Sequence, residues 1–315
     1  MSTNNLLDRA MSDNMEDWPI FSYSQMQSWD RCEMLWHYAY ARNWYRVRKE
    51  QHLNLGSEIH YALKYWYDLA ILKVPKPERI REMYEYFARK VNEHAETLDM
   101  LPVVNKTMWL CMRYFQEFAP EEDKGHRIIE AEHHFTVPFR TGKGRNFILQ
   151  GYIDLLTEYG DKLWTWDHKS MESTFWTPEQ VQMEPQTPLY AAALREEGYK
   201  VHGNIINMFN TYQYKNPEKV ALERFFCREK AYRTDVELNS TVQEMKFIVD
   251  DIIDEHPTPR RSRRLDCKSC SFREPCYMRI KGIDDEPLLR SEFVQKDKQE
   301  VELKLSPKGL MNAST

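Results

Sequence analysis

Two short stretches, GYID at residues 151–154 and WTWDHK at residues 164–169, give the strongest indication of the fold of this chain. Each lies in a segment rich in β-branched and aromatic residues, and a turn signal at 159–161 separates the segments. They therefore predict two adjacent strands. Asp167 and Lys169 are two positions apart, so their side chains share one face of a strand. If Asp154 lies on the neighbouring strand, three charged groups meet at one edge of the sheet.

The predicted group has the chemistry of a divalent-metal site. Carboxylate oxygens are hard ligands that suit Mg²⁺ or Mn²⁺. A lysine beside them can position a water molecule and stabilise negative charge developing on a phosphate. The same pattern also arises from two strand-end aspartates with an exposed lysine partner. The pattern therefore requires support from elsewhere in the chain.

Further polar residues supply that support. GSEIH at 56–60 places His60 in the first turn of a predicted helix, and Glu132 lies in an upstream strand. Gln186 and Tyr190 are one turn apart on the same face of another predicted helix. In chain order the motifs are G-x-x-x-H, E, G-x-x-D, D-x-K and Q-x-x-x-Y.

This combination resembles the RecB-type nucleases of the PD-(D/E)xK superfamily, from residue 21 to about residue 279. The resemblance implies an α/β restriction-endonuclease-like core, with an N-terminal helical region and a C-terminal iron–sulfur staple. The order of predicted elements also favours a mixed central sheet flanked by helices. Asp154 follows Gly-Tyr-Ile instead of the proline in the superfamily's name, a form common among RecB-type members.

The resemblance also implies roles for individual residues. Asp154, Asp167 and Lys169 match the catalytic group. The matching metal ligands or their supports are His60, Glu132, Asp154, Asp167 and the backbone carbonyl of His168. Gln186 and Tyr190 match a motif that contacts DNA. Glu130 competes with Glu132 for its role, because strand alternation places both on one face.

Secondary-structure signals fill in the surrounding fold. Ser22 or Ser24 can cap the first helix. Further helices are expected at about 57–72, 77–94, 178–197 and 231–255, with another around 108–115, and strands at 127–139, 146–157, 162–169 and 201–212. We expect a disordered leader over 1–20, a single nuclease domain over 21–283 and a flexible tail over 284–315.

The cysteines form a second candidate site. Cys267, Cys270 and Cys276 have the spacing C-x₂-C-x₅-C, and Cys32 is the candidate fourth thiolate. In a reducing compartment such a group indicates metal rather than disulfides. Structural Zn²⁺ and a [4Fe–4S] cluster both accept four cysteines, and the spacing alone favours zinc. The layout is similar to that of CRISPR-associated RecB-like exonucleases and the AddB nuclease domain, which implies the [4Fe–4S] cluster.

The composition and net charge of the chain exclude some classes of protein. The chain has 315 residues, 42% of them hydrophobic, and a formal net charge of −5, which excludes a histone-like basic protein. It lacks an apolar run of transmembrane length and a secretory signal pattern. We expect a cytoplasmic protein of a prokaryotic or phage-infected cell.

These signals together predict a Mg²⁺- or Mn²⁺-dependent deoxyribonuclease, an exonuclease rather than an endonuclease. Its expected substrate is single-stranded DNA, or DNA with free ends, in recombination, repair or replication. One alternative is a catalytically silent iron–sulfur protein that binds DNA as a scaffold. Another is a nuclease subunit acting with a helicase or recombinase, since no G-x-x-x-x-G-K-[ST] motif supplies an ATP motor.

Overall fold

In a computed structural model of the chain, the described residues are 15–46, 51–93, 100–172, 174–254, 258–262 and 265–295. Most of the predicted leader and the last twenty residues of the predicted tail lie outside these ranges. Across the described residues, no helix combines the length and apolar character needed to cross a membrane.

Helices predominate up to residue 122, three long strands follow over residues 126–171, and helices and strands are mixed beyond them. The helices described are α1 (Tyr23–Arg31), α2 (Glu33–Trp36), α3 (Gln51–Ile71), α4 (Lys76–Glu93), α5 (Leu101–Arg113), α6 (Ala119–Glu122), α7 (Pro178–Gln182), α8 (Gln186–Glu196), α9 (Asp235–Ile253), α10 (Arg273–Ile280) and α11 (Glu286–Glu292). The strands described are β1 (Ile20–Phe21), β2 (Trp44–Arg46), β3 (His126–Arg140), β4 (Asn146–Tyr159), β5 (Lys162–Met171), β6 (Val201–Asn210), β7 (Phe226–Tyr232) and β8 (Phe293–Gln295).

Most predicted elements are confirmed within a few residues. The predicted cap is present, because the Gln25 backbone N–H donates to Oγ of Ser22 at 3.3 Å. The single helix expected at 178–197 is instead the pair α7 and α8. The break follows from local chemistry: Pro185 has no N–H for a helical hydrogen bond, and the Glu184 carboxylate accepts from the Thr187 N–H at 2.8 Å.

Several elements differ from expectation. Strand β7 has no counterpart in the prediction, because charged residues at 228–230 hide its apolar alternation. The helix expected from residue 231 therefore begins only at Asp235. Within the predicted tail, the structure has α11 and β8, and Leu289 and Phe293 are buried in an apolar cluster. Two apolar residues in a charged segment gave too weak a periodic signal to predict that packing.

The described residues fall into two compact units. The first contains those within Met1–Lys49, His134–Gly151 and Ser240–Thr315, and we call it the cysteine unit. The second contains those within Glu50–His133 and Tyr152–Asn239, and we call it the carboxylate unit.

The carboxylate unit is built on a mixed sheet. Strand β4 pairs antiparallel with β5, β5 pairs parallel with β6, and β6 pairs antiparallel with β7. Ile205 packs in an apolar cluster with Trp166, whereas the next residue, Ile206, packs in a different cluster with Val181 of α7. Since adjacent residues of a strand point to opposite faces, the sheet is covered on both faces. The expected mixed sheet flanked by helices is confirmed.

The cysteine unit has a smaller core. Strand β1 pairs in parallel with β4 through Ile20–Ile148 and Phe21–Leu149, and β2 pairs antiparallel with β8. A cluster of buried side chains lies beside the cysteines, made of Met34, Tyr38, Trp44, Phe272, Leu289 and Phe293. The rings of Tyr38 and Phe272 stack with their centroids 5.2 Å apart. Cys32, Cys270 and Cys276 pack against this cluster.

Candidate active site

Asp154 lies where the β4–β5 ladder ends. The paired register runs from Tyr159–Lys162 to Leu155–Trp166. Beyond it, the backbone N–H of His168 donates to Oδ2 of Asp154 at 2.6 Å, and Nδ1 of His60 lies 3.3 Å from Oδ1. Both oxygens of this carboxylate therefore have fixed contacts, one from β5 and one from α3.

Asp167 and Lys169 share the face that the D-x-K spacing predicts. The Lys169 ammonium lies 2.8 Å from Oδ2 of Asp167 and donates to Oε1 of Gln186 at 2.9 Å. Gln186 Nε2 in turn donates to the Tyr190 hydroxyl at 3.0 Å. The i, i+4 pair on α8 thus supports the lysine from one side while Asp167 contacts it from the other.

The structure distinguishes Glu132 from Glu130. Glu132 has a φ of 54°, and among the described residues its buried Oε2 has no hydrogen-bond partner. Glu130 is half exposed and lies 2.8 Å from Nδ1 of His133. The left-handed backbone at Glu132 interrupts strand alternation, so the prediction that the two glutamates share a face does not apply here.

The carboxylates influence one another electrostatically. Burial raises the pKa of Asp167, and Asp154 raises it further against the opposing effect of Lys169. Burial alone would raise the pKa of Asp154, but His60 holds it well below its ordinary range. Burial raises the pKa of Glu132, Lys64 opposes that rise and Asp154 adds to it. Buried carboxylates that repel one another form a place where a cation is favoured.

His60 carries the complementary charge. Burial would lower its pKa, but the neighbouring Asp154 carboxylate outweighs burial and raises the pKa to about 9. The imidazole is therefore protonated at neutral pH in the absence of metal. A metal ion would compete with this proton for the same site.

A buried polar network behind β5 holds His168, and nothing in the motif pattern predicts it. Nδ2 of Asn207 donates to Nδ1 of His168 at 3.1 Å, and Nε of Arg228 donates to Oδ1 of Asn207 at 3.1 Å. The Tyr67 ring stacks on the imidazole with centroids 6.1 Å apart. Burial lowers the pKa of His168 to about 3, so it is neutral. The sequence signal that could have indicated it is Asn207, a polar residue within an apolar strand.

The four predicted cysteines lie in the cysteine unit and act on one another electrostatically. Burial raises the pKa of the Cys270 and Cys276 thiols, and Cys32 and Cys267 contribute to both shifts. The Ser262 N–H donates to Sγ of Cys32 at 3.4 Å, and Sγ of Cys267 donates to the Ser262 carbonyl at 3.4 Å.

The other two cysteines lie in the carboxylate unit. Cys111 is fully buried in the larger apolar cluster and is a core residue. Cys227 packs against the cluster that contains Val181.

The two candidate sites differ in the metal ions that their donor atoms suit. No group of three or more His, Cys, Asp or Glu in the described part of the chain has the arrangement of a ready-made metal site. The donor chemistry nevertheless fits in both places. The orphaned Oε2 of Glu132 and its neighbouring carboxylates suit a hard divalent cation, and four thiols within electrostatic range suit zinc or an iron–sulfur cluster.

A sequence model of the PD-(D/E)XK nuclease superfamily matches residues 20–277. The chain belongs to this superfamily. The superfamily implies nuclease activity on DNA, and its members typically use divalent metals. The predicted resemblance is thus confirmed at superfamily level, while the RecB-type iron–sulfur subgroup stays a prediction.

Other comparisons add little to the superfamily match. A search of curated proteins gave no match. Among solved structures, the chain is similar to SSO0001, known from a crystal structure, with 13% sequence identity over 59% of this chain and 78% of that chain. The TM-score is 0.29, so no structural argument rests on this similarity.

Proposed function

We propose that the chain is a RecB-type, metal-dependent deoxyribonuclease whose catalytic group is Asp154, Asp167 and Lys169. The observation that carries the proposal is the contact of Lys169 with both Asp167 and Gln186. Among the described residues, the buried Oε2 of Glu132, which Asp154 influences electrostatically, has no hydrogen-bond partner. A lysine held at a cluster of buried carboxylates has no evident structural use, because a simpler apolar packing would be at least as stable.

Each residue of the proposed catalytic site has its own role in phosphodiester hydrolysis. Asp154, Asp167 and Glu132 would hold one or two Mg²⁺ or Mn²⁺ ions, with His60 and the His168 carbonyl as further ligands or supports. A bound ion would polarise the phosphate and lower the pKa of a water molecule. In the hydrolysis, a water oxygen bonds to phosphorus as the P–O bond to the leaving oxygen breaks. The attacking water gives up a proton to solvent, and the leaving oxygen takes one from solvent.

Lys169 acts beside this group. Its ammonium, fixed by Asp167 and Gln186, would orient the attacking water and neutralise charge that develops on the phosphate oxygens. Gln186 joins the Tyr190 hydroxyl to that ammonium, and from the motif that they match we assign this pair a contact with DNA.

The proposal also covers the substrate of the enzyme and the cell in which it acts. We propose an exonuclease acting on single-stranded DNA, or on DNA ends, in the cytoplasm of a prokaryotic or phage-infected cell, alone or beside a helicase or recombinase. The test is cleavage of linear and circular single-stranded DNA of the same sequence, with Mn²⁺, Mg²⁺ or EDTA.

Loss of the linear form alone, and only with metal, is the expected result. Loss of both forms would identify an endonuclease. No cleavage by a folded protein that still binds DNA would favour the scaffold role.

We further propose that Cys32, Cys267, Cys270 and Cys276 hold a [4Fe–4S] cluster as a structural staple. The donor set supports this, and the Ser262 N–H directed at Cys32 Sγ is a hydrogen bond of the kind that stabilises cluster sulfurs. Zinc is the competing occupant. Anaerobic purification followed by iron, sulfide and zinc analysis separates them, since zinc without iron would replace the cluster in this proposal.

A further inference from the structure

The carboxylate unit contains a cavity at the end of β6 that the proposed chemistry does not use. Its volume is about 540 Å³. Ligand pockets typically measure about 300–1,000 Å³, so this one is large enough for a nucleoside-sized group. Its walls come from α5 and from the segment that follows β6, and the principal lining residues are Lys106, Trp109, Asn210, Tyr212, Gln213 and Tyr214.

The cavity adjoins the strand ends that carry the catalytic group. Leu55 and Glu172 belong to its wall. A Cβ added at Gly56, the residue after Leu55, would lie 2.9 Å from Oγ of Ser170, so the start of α3 lies directly against β5. Ser170 follows Lys169 in sequence.

The segment after β6 is also fixed to this strand end. The Thr211 N–H donates to the carbonyl of Met171 at 2.7 Å. The side chain of Asn210 then accepts from the Tyr212 N–H at 2.9 Å, which sets the turn that carries the tyrosines. The cavity therefore lies at the ends of β5 and β6, and its wall residue Glu172 is three positions beyond Lys169 in the chain.

The lining suits a base better than a phosphate. Tyr212 is 56% exposed, and its ring meets that of Tyr214 edge-on, with centroids 4.9 Å apart. That geometry leaves a ring face open for stacking. Lys106 and Glu172 offset each other in charge, so the cavity does not select an anion, whereas Gln213 offers both a donor and an acceptor to the edge of a base.

We propose that this cavity is a base pocket, which holds one unstacked nucleobase of single-stranded DNA while the adjoining phosphate lies at Asp154, Asp167 and Lys169. Tyr212 supplies the stacking surface, and Gln213 bonds the edge of the base. The proposal rests on the proposed function and names its substrate as a strand with an accessible base, which an intact duplex does not offer.

The test measures binding apart from cleavage. Full-length protein in EDTA is titrated into single-stranded oligonucleotides that carry 2-aminopurine at successive positions, and both Kd and fluorescence are recorded. One position should show quenching by stacking. Tyr212→Ala should abolish that quenching and weaken binding about tenfold, as expected for loss of one stacked base.

Matched variants sharpen the result. Tyr212→Phe keeps the ring and should keep the quenching. Tyr84→Ala removes another tyrosine, 51% exposed and outside the cavity lining, and should bind like wild type. An abasic site at the quenched position should weaken wild-type binding and leave the Tyr212→Ala affinity unchanged.

Unchanged Kd and quenching in Tyr212→Ala would overturn the base pocket even if the protein cleaves DNA. Position-specific quenching without any metal-dependent cleavage would leave the pocket standing and reject the proposed function. Equal quenching within an annealed duplex, or tighter binding of the matching RNA strand, would reject single-stranded DNA as its ligand.

Discussion

The carboxylate site and the cysteine site differ in what fixes their geometry. Asp154 receives a contact on each oxygen, and Lys169 contacts both Asp167 and Gln186. Cys32 and Cys267, by contrast, meet Ser262 through sulfur hydrogen bonds of 3.4 Å, which are weak. Polar contacts among its own residues therefore fix the first site, whereas the thiols are held by weak bonds and by packing of Cys32, Cys270 and Cys276 against the apolar cluster.

This difference predicts two roles for bound metal, a catalytic role in the carboxylate unit and a structural role in the cysteine unit. In the carboxylate unit a divalent ion would relieve repulsion among groups that are already in position, so its loss should stop catalysis and spare the fold. In the cysteine unit the cluster would link segments far apart in sequence, so its loss should cost stability.

The largest expected effect is on the carboxylate side. Asp167→Asn removes a charge from the proposed metal site and should lower the single-turnover rate on the order of 10³-fold, because each factor of ten corresponds to about 1.4 kcal/mol of transition-state stabilisation. Mn²⁺ binding, followed by electron paramagnetic resonance, should weaken in parallel, while the melting temperature stays near that of wild type.

Asp161→Asn, in an exposed turn, is the matched control and should change neither quantity. Wild-type cleavage and Mn²⁺ affinity in Asp167→Asn would remove the carboxylate site from the proposal.

A second substitution, of Arg228, should destabilise the carboxylate unit through the buried polar network that holds His168. Arg228 is almost fully buried, pairs with Asp123 at 2.7 Å and lies over the Trp166 ring at 4.4 Å. Arg228→Met leaves Asp123 and Asn207 without this partner and should lower the free energy of unfolding by about 3 kcal/mol. Urea denaturation monitored by tryptophan fluorescence provides the measurement.

Arg127→Met removes an arginine whose side chain is 68% exposed, and its ion pair with Glu158 is worth little at the surface. Equal free energies of unfolding for Arg228→Met and Arg127→Met would show that the buried network that holds His168 does not contribute to stability.

The smallest expected effect concerns the cysteine side. Cys32→Ala should lose iron, and the melting temperature should fall by roughly 5–10 °C, equivalent to about 2–3 kcal/mol in a domain of this size. Cys227→Ala, in the carboxylate unit, should keep its iron. Full iron content and an unchanged melting temperature in Cys32→Ala would exclude Cys32 as the fourth ligand.

Local sequence patterns predicted the residues of the candidate active site more completely than the backbone and side chains that surround them. The D-x-K and Q-x-x-x-Y spacings describe side chains on one strand face and one helix face, and Lys169 does contact Asp167 and Gln186. The left-handed backbone at Glu132 and the Arg228–Asn207–His168 network depend on contacts between distant segments, which no local period encodes.

Contacts between distant segments also account for the differences between the predicted and observed elements. Strand β7 is specified by its pairing with β6 rather than by its own charged sequence, and α11 by two buried residues rather than by a periodic face. Elements with strong internal periodicity, such as α3 and α4, were predicted within a few residues of their observed bounds except at the start of α3.

The most direct test of the account is the single-turnover cleavage rate of linear single-stranded DNA by wild type and Lys169→Met, titrated with Mn²⁺. Both proteins should fold, and both should bind Mn²⁺, since the lysine is not a ligand. The wild-type rate should rise with Mn²⁺ and vanish in EDTA, and the variant should stay at least about 10²-fold slower at saturation. A variant that reaches the wild-type rate, or a wild-type rate that persists in EDTA, would contradict the proposal that Lys169 and a carboxylate-bound metal ion together cleave DNA.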